Sequence, residues 1–122
     1  MGSDIHHSKL AREKREAALE ENLKHRYTVV GDLALKAVEQ AIEAAASREN
    51  IHFHLAPRTA HAERVQWFKE KFPLSSKDID ALWGAYGTLG YEGTDGERAK
   101  RALEAMEKIL DEISNKTGLR FK

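Results

Sequence analysis

Between Val30 and Ala45 the apolar residues Val30, Leu33, Ala34, Ala37, Val38, Ala41, Ile42 and Ala45 recur at steps of three and four. That spacing places them on one side of an α-helix, as a stripe that must find a partner to leave water. Alanine supplies half of the stripe, which lets a neighbouring helix approach closely. A second long stripe follows near the other end of the chain: Ala99, Ala102, Leu103, Met106, Ile109, Leu110 and Ile113. No period-two pattern and no internal repeat competes with these two.

The remaining punctuation predicts an all-α chain. Only two prolines occur, Pro57 and Pro73, and both stand where the helical pattern lapses. A first helix is expected from Ser8 to about Lys24, in residues that favour helices, with Leu10, Ala17, Leu19 and Leu23 as a sparse apolar face. Such a helix lies over a bundle rather than at its centre. Thr59 can cap a third helix, in which Val65, Phe68 and Phe72 face inward. Ser75 and Ser76 open a fourth, with Ile79, Leu82, Trp83 and Tyr86 on its buried face. Gly118 suits the left-handed residue after the last helix. The expectation is about five helices in a mostly antiparallel bundle, one domain over residues 8–118, with 1–7 a leader or disordered start and 119–122 a tail.

A chain of 122 residues can bury roughly two-thirds of its unfolded surface. Its twenty basic and twenty acidic side chains cancel, so no global field draws in nucleic acid or anionic membrane. There is no cysteine, which excludes thiolate chemistry and fits a cytoplasmic protein. No apolar run approaches the roughly 18 residues needed to span a bilayer, so no membrane partner is expected.

Two segments carry a family resemblance. The first is Arg26-Tyr27-Thr28-Val29-Val30-Gly31-Asp32-Leu33-Ala34 and onward to Ala44; the second is Leu82-Trp83-Gly84-Ala85-Tyr86-Gly87-Thr88-Leu89-Gly90-Tyr91-Glu92. With Thr59-Ala60-His61 between them, their order over 8–114 resembles HEPN domains. Those are small helical bundles that cut RNA or sit beside minimal nucleotidyltransferases. Relatives carry a similar aromatic-small-apolar stretch with a Glu-x-x-x-Lys/Glu face, a Thr-His segment opening the next helix, and a late tyrosine where Tyr91 stands. The resemblance implies a five-helix bundle that forms a homodimer, or pairs with a nucleotidyltransferase. Many HEPN ribonucleases place Arg-(four to six residues)-His before the final helix; here that place has neither residue. The implied function is therefore a non-catalytic interaction or substrate-binding module with no cofactor.

The alternative is a metal-independent ribonuclease. Arg48 and His54 stand at the family's spacing on a different loop, and His61 is a further candidate. Histidine can take or give a proton near neutral pH, and arginine stabilises a charged phosphorane. His52, His54 and His61, within ten residues, are also weak candidates for Zn²⁺ or Ni²⁺. Gly87, Gly90, Gly93 and Gly96 predict a structural turn rather than a phosphate cradle, because Glu92, Asp95 and Glu97 would repel an anion. Trp83, Tyr86 and Tyr91 are expected at a core or dimer interface, and an RNA-binding patch is only weakly supported by the scattered lysines and arginines.

Overall fold

The computed structural model describes residues 2–91 and 96–122, the side chains of 85–91 excepted. Among the described residues the chain is five α-helices with two short 3-10 turns and no strand. The helices are α1 (Ser3–Leu23), α2 (Tyr27–Ser47), α3 (Ala60–Lys71), α4 (Ser76–Tyr91) and α5 (Gly96–Thr117); the turns are Phe53–Leu55 and Pro73–Ser75. No described helix is long and apolar enough to cross a membrane.

The two sequence stripes form the centre. From α2, Val30, Ala34, Ala37, Val38, Ala41, Ile42 and Ala45 are buried; from α5, Ala99, Ala102, Leu103, Met106, Ile109, Leu110 and Ile113. These helices run parallel. Gly96 at the head of α5 lies against the Tyr27 ring at the head of α2, and Arg48 after α2 donates to the Thr117 carbonyl at the end of α5. A Cβ on Gly96 would stand 3.2 Å from Tyr27 Oη, so the missing side chain is what lets the two helix heads meet. The α1–α2 pair is antiparallel, as is α4 against α5, where Asp78 and Ser75 face Lys108. The expected all-α, mostly antiparallel bundle is what the chain forms.

Several sequence expectations need correction. The boundary at Ser8 falls inside α1, which is helical from Ser3 and buries His7 and Ser8. Its buried face is His7, Ser8, Ala11 and Ala18, while Leu23 is 79% exposed. The reason is the partner. An alanine-rich surface is approached most closely by small residues, so Ala11 and Ala18 take the interface while Leu19 packs at the core's edge. Residues 119–122 are not a free tail either: Leu119 and Phe121 are buried in the core. Gly118 at φ 79° turns the chain back to put them there.

Three further details differ. Thr59 does mark the start of α3, but its side chain makes no capping hydrogen bond; its backbone carbonyl accepts from Glu63 instead. Of the glycines expected in a turn, Gly87 and Gly90 are helical within α4, since a glycine costs a helix only about 1 kcal/mol; Gly96 opens α5, and Gly93 lies outside the described residues. Trp83, expected on the buried face of α4, is 43% exposed.

Candidate functional site

On the helix α2, Glu39, Gln40 and Glu43 occupy a face of their own beside the apolar stripe. Three other elements bring polar side chains to it. The helix α3 supplies His61 and Arg64, the 3-10 turn supplies His54, and α1 supplies His7.

Glu43 is only 2% exposed. Its Oε1 accepts the His54 backbone N–H at 2.6 Å, lies 3.3 Å from His54 Nδ1, and is 3.6 Å from Arg64 Nη2. Arg64 also donates to Glu39 Oε2 at 3.0 Å. One guanidinium, itself 12% exposed, is thereby held between two carboxylates. Burying this much charge is tolerable only because the charges are paired. The pairing is still incomplete: Glu43 Oε2 and Arg64 Nε are shut off from solvent without a hydrogen-bond partner.

The imidazoles flank this pair. His61 Nδ1 is 3.7 Å from Glu39 Oε2, and its ring stacks on the Trp83 indole with centroids 3.7 Å apart and planes 24° apart. His7 Nδ1 lies 2.7 Å from Gln40 Oε1, and the His7 and His54 rings are 5.1 Å apart between centroids. His52 stands edge-on to His54 at 5.9 Å. Beyond the His61–Trp83 stack, α3 and α4 leave a cleft of about 430 Å³ lined by His61, Val65, Gln66, Lys69, Ile79 and Trp83. Lys69 at its rim is paired with Asp80 at 2.9 Å.

The structure thus gathers His54 and His61 around one acidic pair and sends Arg48 elsewhere. Arg48 Nε lies 3.2 Å from Asp4 Oδ2, and its Nη1 donates to the Thr117 carbonyl. Its guanidinium holds the Asp4 carboxyl below the usual carboxylate range, chiefly through that hydrogen bond. Arg48 fastens three helix ends together. His52, His54 and His61 do not form a common metal set, because His61 is turned to Glu39 and Trp83; among the described residues no three potential ligands stand where they could hold an ion. The side chains of Tyr86 and Tyr91 lie outside the described residues.

Sequence reasoning missed Glu39, Glu43, Arg64 and His7. A signal existed for the first two, as Glu39-Gln40-Ala41-Ile42-Glu43 sets two carboxylates four apart inside the strongest apolar helix. Comparison of the chain with protein-family models, with curated proteins and with solved structures returns no match.

Proposed function

We propose that the protein is a HEPN-like interaction module, which dimerises or pairs with a minimal nucleotidyltransferase, and that it engages its partner through the cleft between α3 and α4. The observation that carries this reading is the state of Arg64. The guanidinium beside the site histidines is already engaged by Glu39 and Glu43, so it has no charge to spare for a phosphorane. With Arg48 bound to Asp4 and the Thr117 carbonyl, neither arginine is placed to serve RNA cleavage. The cleft itself suits protein contact: an apolar floor of Val65 and Ile79, a stacked His61–Trp83 wall and a charge-neutral Lys69–Asp80 rim. Light scattering after gel filtration, alone and after co-expression with a minimal nucleotidyltransferase, tests it. A dimer or a complex that Val65→Glu disrupts is expected. A monomer in both settings ends this reading.

One observation favours a second reading, the metal-independent ribonuclease. Glu43 orients the His54 ring through Nδ1, the way a carboxylate positions an acid–base histidine, and His54 stays half-exposed. RNA cleavage in EDTA that disappears in His54→Ala is its signature; an inactive wild-type protein across several RNAs removes it.

A further inference from the structure

The start of α1, the end of α2 and the turn after α5 enclose a cleft of about 300 Å³, lined by Asp4, Ser8, Arg12, Arg48, Gly118 and Arg120. It shares no residue with the cleft between α3 and α4. Its charge is unbalanced. Arg48 is paired with Asp4, the one carboxylate among these residues. Arg12 gives one N–H to the Arg120 carbonyl, a neutral acceptor, and forms no ion pair among the described residues; neither does the Arg120 guanidinium. Two positive charges are left at the cleft without a counter-charge. Ser8, on its wall, is 4% exposed, and its Oγ is shut off from water with no hydrogen-bond partner. A serine inside a helix commonly returns its hydroxyl to a carbonyl one turn back, and this one does not. A buried hydroxyl left unpaired is a cost that an acceptor supplied from outside removes.

We propose that this cleft binds a phosphate group, as orthophosphate or a small phosphomonoester. A phosphate ester carries a charge of about −1.5 to −2 at neutral pH, which matches the two unpaired guanidinium groups. Most donors of Arg12 and all those of Arg120 are unused, and the guanidinium fork fits phosphate oxygens two at a time. The Ser8 hydroxyl donates to a remaining oxygen. Helix α1 adds the positive end of its dipole, since Asp4 and Ser8 lie in its first two turns. The volume stands at the lower end of small-ligand pockets, which span about 300–1,000 Å³, so the occupant is small. Among the described residues no histidine lines the cleft, so the site holds the group without a proton shuttle to cleave its ester.

The test is titration of the whole protein with orthophosphate and, separately, with methyl phosphate, by calorimetry and thermal melting at low ionic strength. One site is expected, with a melting temperature raised by about 5 °C at about ten times the dissociation constant. Arg12→Gln and Arg120→Gln should each weaken binding about tenfold or more. Lys24→Gln, at an exposed position outside the cleft, should leave it unchanged. If Arg12→Gln does not fold, Arg120→Gln decides alone, because that side chain is exposed and holds no other group in place. Ser8→Ala gives a readout that a structural role does not: weaker phosphate binding with no loss of melting temperature in the free protein, whose Ser8 hydroxyl has no partner. Binding of both probes, or of one alone, supports the site and names its ligand as the shared group, the free ion or the ester. Wild-type protein that binds neither overturns the proposal. So does binding untouched by Arg120→Gln and Ser8→Ala, or weakened equally by Lys24→Gln, which would assign it to bulk charge.

Discussion

The two sides of α2 are built on opposite principles. One side meets α1, α4 and α5 chiefly through alanine, valine and isoleucine. The other meets α3, the 3-10 turn and His7 of α1 through Glu39, Gln40 and Glu43, and every contact there must have the right partner at the right distance. The apolar side tolerates approximation, because burial is non-directional and scales with area. The polar side does not, since an orphaned buried charge costs far more than a badly packed methyl. The bundle holds every helix by packing, Phe68 of α3 included, and adds charge pairing where α3 meets α2.

The largest effect should fall on the apolar side. Ile109→Ala is expected to cost about 2–5 kcal/mol in urea denaturation, with Leu103→Ala at the lower end of that range because it sits at the core's margin. Values near zero for both would mean that the α2–α5 seam is not the centre of stability. Next comes Glu43→Ala, at about 2 kcal/mol, reduced because Arg64 keeps Glu39. Replacing the pair together, Glu43→Leu with Arg64→Met, should return most of that loss. A double variant as unstable as the single one would show that the polar side holds α3 by more than charge pairing.

A smaller effect, read through pH, belongs to neither side of α2 but to the contact between α1 and α5. Burial alone would raise the Glu107 carboxyl, but the hydrogen bonds and charge of Arg15, with Lys122, hold it below its usual value. Its stabilising contribution is therefore full above the unfolded-state value and fades as pH falls through the lower folded one. The gap between wild type and Glu107→Gln should shrink on going from about pH 7 to about pH 3. A gap that is constant across this range would remove Arg15–Glu107 from the contacts holding α1 to α5. Leu23→Lys, at an exposed position, should stay within about 0.5 kcal/mol of wild type.

What the residues disclosed on their own follows the same division. The stripes of α2 and α5 were legible because apolar side chains at helical spacing have one common destination. The face of α1 was legible only in part: Leu19 packs against the core as expected, but Leu23 is exposed, and Ala11 and Ala18 are the ones that fit against alanine. Arg12 and Arg15 illustrate a related blindness. Spacing pairs Arg12 with Glu16 on its own helix, yet Arg12 donates to the Arg120 carbonyl and Arg15 to Glu107, each across to the far end of the chain. The His54–Glu43–Arg64–Glu39 run was unreadable for the same reason. Its members belong to three elements, and only packing determines which of many carboxylates meets which arginine.

The parallel seam of α2 and α5 has a kinetic consequence. Helices α1 and α2 are a hairpin of near neighbours in sequence, and so are α4 and α5, so each can form through local contacts alone. The seam joins residues about seventy positions apart, so closing it costs more loop entropy than forming either hairpin. Non-local closure of this kind is the slow step in small domains. Folding is therefore expected as two fast local events followed by one docking event, with Gly96 settling against Tyr27 and Arg48 reaching the Thr117 carbonyl among the last contacts made.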